Sequence, residues 1–280
     1  MIMQSSYQDT ININVEKVIA SKNKTMAKYT PKFVINFFRK LIHEDELNQI
    51  LQDNNNYSGV EFAKGCLRSL NVSANIKYLN KDSIKQDGRY IFVSNHPLGG
   101  LDGLVLISEI GTIFPNIKFV VNDFLLNVQP LEHIFIPVNK LGGMSRDYAK
   151  QIDNLYKSDN QILYFPAGLC SRLINGKITD LKWQTSFYKK AVLSNREIVP
   201  IFFGGSNSMF FYRFAKLRKK LGIKFNLDMM LLPNEMFKKR GAKFNVIIGE
   251  PIKAQKCDNV SDLNKACESI REYVYAIAER

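Results

Sequence analysis

Arg89-Tyr90-Ile91-Phe92-Val93-Ser94-Asn95-His96-Pro97-Leu98-Gly99-Gly100-Leu101-Asp102-Gly103 is the stretch that decides how this chain folds. Residues 89–94 are rich in aromatic and β-branched side chains and read as a strand. Pro97 and the glycines stop it. Leu104-Val105-Leu106-Ile107 follows at once and can start a helix. A strand that runs through a glycine-rich turn into a helix is where α/β proteins gather chemistry. This turn holds His96, one of three histidines in the chain, and a carboxylate, Asp102, six residues later.

Working outward, residues 75–79, 118–121, 134–138, 161–165, 198–203 and 243–248 also read as strands. They are apolar runs rather than alternating patterns, and helical segments separate them. That is the signature of an α/β fold whose mostly parallel sheet is covered by helices on both faces. The spacing predicts an amphipathic helical stretch over 11–51, in which Pro31 opens one helix. Further helices are expected over 62–70 and 104–110, from a Ser145 cap to about 156, from about 179 or 181 to 193, and from a Ser261 cap onward. Residues 1–70 read as a helical N-terminal subdomain and 71–280 as an α/β domain. The loops 94–103, 139–143 and 165–172 fall at the carboxyl ends of strands, where sites form.

Composition narrows the partners. A chain of 280 residues, 45% hydrophobic and 23% charged, is ordinary globular material. A net charge of +13 favours an anionic surface or an anionic substrate. Cys66, Cys170, Cys257 and Cys267 show no C-x-x-C pairing and, with no signal-like apolar start, read as reduced thiols in a cytoplasmic protein. No apolar run is long enough to span a bilayer, so membrane contact is expected to be peripheral.

His96 is the best general-base candidate, because an imidazole both takes and returns a proton near neutral pH. Asp102 can hold the other ring nitrogen and fix its tautomer. A surface turn that happens to carry a histidine is the competing reading. Cys170 raises a second rival, a Cys–His nucleophile pair, against which stands a half-buried structural cysteine. His43, His133 and the remaining cysteines have no metal-ligand spacing.

The order of Asn95-His96, Asp102, Phe165-Pro166-Ala167-Gly168-Leu169-Cys170-Ser171-Arg172 and Val199-Pro200-Ile201 resembles the glycerolipid, or lysophospholipid, acyltransferase family. The likeness runs over residues 75–252, with 134–140 as a further block. The family block Asn-His-x4-Asp carries one extra residue here, which Gly99-Gly100 can absorb as a bulge. Ala167 stands where the family has Glu, and Arg172 is displaced from the usual Arg position. These forms are similar to a bacterial branch that acylates mono-acylated amino-acid lipids such as ornithine and glycine lipids.

The resemblance implies a direct O-acyl transfer, with His96 and Asp102 catalytic and with Asn95, Lys140, Gly168, Ser171 and Arg172 binding substrate. It implies acyl-carrier protein (ACP) or acyl-CoA as donor and a lyso-lipid as acceptor, a lyso-aminolipid being favoured over lysophosphatidate. Arg172 and Lys140 suit the acceptor's carboxylate or phosphate. Backbone N–H groups near Gly103 suit a developing oxyanion. No cofactor or metal is implied.

Residues 212–240 hold nine Lys or Arg against two acids, Asp228 and Glu235, interleaved with aromatic and aliphatic side chains. Residues 210–240 therefore suit an anionic membrane surface, through Lys216, Arg218, Lys219 and Lys220 among others. No nucleic-acid motif accompanies the charge, so no nucleic-acid partner is expected. A peripheral enzyme on the inner face of the cytoplasmic membrane is the expectation. A non-catalytic, haemolysin-like membrane-binding protein and a thioesterase are the alternatives.

Overall fold

The computed structural model describes residues 12–22, 28–121, 128–137, 146–223 and 226–279. Its elements run in chain order as α1 (Val15–Lys22), α2 (Lys32–Leu41), α3 (Glu44–Asp53), α4 (Gly59–Ser69), β1 (Ser73–Tyr78), β2 (Tyr90–Ser94), α5 (Gly100–Ile113), β3 (Ile117–Val121), β4 (Phe135–Pro137) and α6 (Arg146–Lys157). They continue as β5 (Gln161–Tyr164), β6 (Arg172–Ile174), β7 (Lys177–Thr179), α7 (Ser186–Ser194), β8 (Glu197–Phe203), α8 (Met209–Lys220), α9 (Leu232–Phe237), β9 (Lys243–Ile248), β10 (Ile252–Lys253) and α10 (Val260–Ala276).

Among these residues eight strands form one sheet in the order β1-β9-β8-β2-β5-β3-β4, with β10 paired to β8. β2 pairs in parallel with β5 on one side and β8 on the other. β9 runs antiparallel to β8 but parallel to β1, so the sheet is mostly parallel. The chain leaves β2 towards β3 and β4, returns in β5, and only later fills the other flank with β8. Such a reversal opens a crevice beyond the carboxyl ends of the central strands. The loops after β2, β5 and β8 all emerge there.

Helices cover both faces, as the apolar runs predict. β2 shows why, since every one of its residues is buried. Tyr90 and Phe92 pack with Phe62 and Leu67 of α4 and Leu106 of α5. Ile91 and Val93 point the other way, to Phe187 of α7 and Ile270 and Val274 of α10. α3 and α4 share the first of these cores through Ile50, Cys66 and Leu70.

Two local expectations are corrected. The helix expected from 179–181 starts at Ser186, because β6 and β7 form a hairpin there. Its tip, Asn175-Gly176, takes φ values of +48° and +80°, the pair of left-handed residues that a two-residue hairpin loop needs. The cap of α10 is Asn259, whose side chain accepts the Asp262 N–H at 3.0 Å, and Ser261 lies inside the helix. Within 11–51, α2 follows Pro31 as expected, and the chain breaks before α3 where His43 adopts φ +55°. Ser145 and the loop 139–143 lie outside the described residues.

Within the basic segment, α8 buries Phe211, Tyr212 and Ala215 and exposes Met209, Phe210, Leu217 and Leu221. Arg218 leaves the expected solvent face, since its Nε lies 2.6 Å from the buried Asp228. Asp228 also pairs with Arg172 at 2.5 Å, so one carboxylate ties α8 to the loop after β5. Among the described residues, no helix is long and apolar enough to cross a membrane.

Candidate active site

Asn95 ends β2 by imitating it. Its side-chain amide donates to the Phe203 carbonyl at 2.9 Å and accepts the Phe203 N–H at 2.7 Å, which extends the β2–β8 ladder one residue past the strand. Asn95 is thus committed to the sheet edge, and the next residue, His96, is set at the crevice. Pro97 to Leu101 then turn the chain, with Leu98 and Leu101 sunk in the core. Gly99 takes φ +90° and ψ −115°, open to glycine at little cost, and α5 starts at Gly100.

His96 Nδ1 lies 3.0 Å from Asp102 Oδ2. Asp102, fully buried, also accepts the Leu98 N–H through Oδ2 and the Gly103 N–H through Oδ1, each at 2.9 Å. Its place in the first turn of α5 puts its negative charge at the positive end of the helix. The Gly103 N–H is therefore spent on Asp102, which leaves the oxyanion expectation to other backbone N–H groups near the start of α5. With Nδ1 bonded to the carboxylate, Nε2 is the ring atom left to exchange a proton. The imidazole stacks on Phe165 with ring centroids 4.0 Å apart, and Phe165 in turn meets Phe119 edge-on.

The imidazole lies on the wall of a cavity of about 320 Å³. Apolar side chains line most of it, including Leu47, Phe62, Leu104, Ile107, Phe119 and Val121, with the glycines 99, 100, 103 and 168 near His96. It runs from the crevice into the space between α3, α4, α5 and β3. That shape takes a hydrocarbon chain with its reactive end at the histidine.

The loop after β5 is built around tight hydrogen bonds. Gly168 at φ +68° lets its N–H return to Phe165 O at 3.0 Å. Ser171 donates its N–H to His96 O at 2.7 Å and its hydroxyl to Asp180 Oδ1 at 2.6 Å. Arg172 gives Nη1 to Cys170 O at 2.7 Å and Cys170 Sγ at 3.0 Å, and Nη2 to Asp228. The carboxylate that Arg172 holds in this structure is the protein's own. Cys170 is fully buried, and burial pushes its thiol up to about 11, which disfavours the thiolate a nucleophile needs. Lys140 lies outside the described residues. His43 stacks on Phe237 and hydrogen-bonds Glu46 and Asn234, far in sequence from the other site residues.

The structure thus brings His96, Asp102, Gly168 and Ser171 together, with Asn95 behind them and Arg172 to one side. It adds two residues that the sequence did not single out as site residues. Phe165 stacks on the imidazole, and Asp180 reaches the same turn from across the sheet. The Asn175-Gly176 turn was the available signal, because a hairpin there folds Asp180 back towards Ser171.

Comparison with known proteins places these features in a family. A family model described as "Acyltransferase" matches residues 17–280. Two curated proteins, both named lyso-glycine lipid O-acyltransferase, are 40% identical over 266 residues: one from Bacteroides thetaiotaomicron, with 95% of this chain and 97% of that protein covered, and one from Phocaeicola vulgatus, with 95% of each. A solved structure of the 1-acyl-sn-glycerophosphate (LPA) acyltransferase PlsC from Thermotoga maritima aligns over 95% of each chain, at 14% identity and a TM-score of 0.49.

Proposed function

The chain belongs to the acyltransferase family, and from that premise we propose that it moves a fatty acyl group from an ACP or CoA thioester to the hydroxyl of a lyso-aminolipid. A lyso-glycine lipid is the favoured acceptor, ahead of lysophosphatidate, because both curated relatives carry that name. The observation that carries the reading is the His96–Asp102 pair, 3.0 Å apart on the wall of an apolar cavity.

In this scheme His96 Nε2 takes the proton of the acceptor hydroxyl as its oxygen attacks the thioester carbonyl. Asp102 holds Nδ1 and stabilises the imidazolium that forms. The tetrahedral intermediate collapses, the C–S bond breaks, and the leaving thiolate takes the proton from His96. The products are an ester and a free thiol. The scheme needs no metal or cofactor, since the thioester supplies the activated acyl group. The acyl chain occupies the cavity, while Asn95, Ser171 and Arg172 hold the loops that shape its mouth.

The enzyme works as a peripheral protein on the inner, cytoplasmic face of the membrane, where a lyso-lipid resides. Two exposed aromatic faces support that placement. Phe210, Leu217 and Leu221 stand out from α8 beside Lys216, Lys219 and Lys220. Phe33 and Phe37 stand exposed one turn apart on α2, with Tyr29 exposed just before it, among Lys28, Lys32 and Lys40. Exposed rings flanked by lysines suit an anionic interface.

The test is an acceptor panel. Purified enzyme receives labelled palmitoyl-ACP or palmitoyl-CoA with lyso-glycine lipid, lyso-ornithine lipid, lysophosphatidate or no lipid. Diacylated glycine lipid as the main product supports the reading. A preference for lysophosphatidate overturns the acceptor, and free palmitate formed equally without any lipid would indicate a thioesterase.

A further inference from the structure

Asp180 stands 84 residues from His96 in sequence and in none of the family blocks, yet it closes on the same turn. Its Oδ1 accepts the His96 backbone N–H at 3.2 Å and the Ser171 hydroxyl at 2.6 Å. Its Oδ2 accepts the Trp183 indole N–H at 2.9 Å. Its own N–H donates to the Tyr275 hydroxyl of α10 at 2.9 Å. The side chain is 2% exposed. Nearby, Arg271 of α10 donates to Thr179 Oγ1 at 2.8 Å, so the end of β7 is anchored at two adjacent residues.

The peptide of His96 is therefore gripped on both of its polar groups. Asp180 holds its N–H, Ser171 holds its C=O, and Asp180 and Ser171 hold each other. Asp102 and the Phe165 stack fix the ring, and the Asn95 side chain and the Leu98 N–H hold the chain on either side, while Asp180 and Ser171 make the contacts to the His96 backbone itself. General-base catalysis needs the ring nitrogen placed to within a fraction of an ångström, and a shift of about 1 Å can cost about 100-fold in rate.

We infer that Asp180 is a positioning residue of the acyl transfer: it fixes the His96 backbone against the loop after β5, so that the imidazole meets the acceptor hydroxyl in one geometry. The inference rests on the acyl-transfer reading and adds to it a residue outside the motif blocks. Burial raises the Asp180 carboxyl above the usual carboxylate range, while the donations from Ser171, Trp183 and the His96 amide oppose that rise. A buried carboxylate with neutral donors is costly to keep, which fits a role in the site rather than in stability alone.

The test uses full-length protein and two readouts: steady-state transfer of labelled palmitate from palmitoyl-ACP to lyso-glycine lipid, and hydrogen exchange of a peptide containing the His96 amide. Asp180→Ala is expected to lower kcat by about 100-fold, with KM within about twofold, and to speed exchange at His96. Asp180→Asn keeps one acceptor oxygen and should fall between wild type and Asp180→Ala in both readouts. A folded Asp180→Ala with wild-type kcat and wild-type exchange overturns the inference. If Asp180→Ala does not fold, Trp183→Phe removes one donor from the carboxylate. A several-fold loss of kcat with faster His96 exchange then supports the inference, and no change in either overturns it. Should the wild type transfer nothing, the acyl-transfer reading fails by itself, and exchange at His96 still decides whether Asp180 restrains it.

Discussion

His96 has four restraints of different kinds: a carboxylate on Nδ1, an aromatic ring on its face, and a donor and an acceptor on its backbone. Asp102→Asn keeps the size of the side chain but not its charge, so the preferred tautomer of His96 is lost. The expected loss in kcat is of the order of 10³-fold, with KM little changed. A loss below tenfold would show that Asp102 serves the fold and not the base. Cys170 makes the opposite prediction. Its thiol is buried and held protonated, so Cys170→Ser should keep transfer within about threefold, and no acyl-enzyme should appear by mass spectrometry. A trapped thioester at Cys170 would replace direct transfer with a two-step route.

Asp180 also predicts a pH effect on stability. Its folded pKa is raised, so the native state binds that proton more tightly than the unfolded chain, where an Asp titrates near 3.9. The stability it contributes is full below the unfolded value and is lost as pH rises through the folded value. Asparagine does not titrate. The Tm of Asp180→Asn relative to wild type should therefore rise as pH increases from about 4 through the folded value. A difference that stays constant across that range would contradict this.

At the scale of elements, the turn between β2 and α5 is the part most exposed to substitution. A Cβ on Gly99 would lie 2.9 Å from Leu232 of α9 and would sit at φ +90°, where it is strained whatever the space. A Cβ on Gly100 meets nothing within 4 Å and begins a helix. Gly99→Ala should destabilise by about 2 kcal/mol or more, whereas Gly100→Ala should be neutral or stabilising by up to about 1 kcal/mol. Chemical denaturation of the two variants checks the contrast, and equal effects would show that the turn is not held as described.

The same elements show what the sequence could carry. The strand, turn and helix around His96 were legible because local residue types set them: β-branched and aromatic residues in β2, glycines at the turn, an apolar run in α5. The helix expected before Ser186 starts later because Asn175-Gly176 closes the β6–β7 hairpin there, and that turn outweighs the apolar periodicity. Asp228 was not legible at all, and Asp180 only through the Asn175-Gly176 turn that folds it back. Their roles come from partners 84, 56 and 10 residues away in the chain, His96, Arg172 and Arg218, which no local spacing encodes. Arg172 was legible as an arginine of the site, but not as the partner of a buried aspartate.

The whole molecule is strongly cationic, and its exposed rings stand beside lysines on α2 and α8. Each lysine near an anionic surface contributes about 1 kcal/mol. Replacing Lys216, Lys219 and Lys220 together with Gln should weaken binding to anionic liposomes by about 100-fold and flatten its salt dependence. Arg218 is left out of that set because removing it would take one of its two arginine partners from the buried Asp228. Unchanged liposome binding would move the contact away from α8, and Phe33→Ser with Phe37→Ser would then test α2.

The measurement closest to the central claim is acyl transfer by His96→Ala. Labelled palmitoyl-ACP and lyso-glycine lipid are presented in anionic vesicles to wild type and variant at equal bound protein. The account predicts diacylated glycine lipid from the wild type and a loss of at least about 10³-fold in the variant, with vesicle binding and Tm preserved. Equal product from the two proteins would contradict it, because the cavity, the Asp102 pair and the Asp180 clamp all converge on that one imidazole.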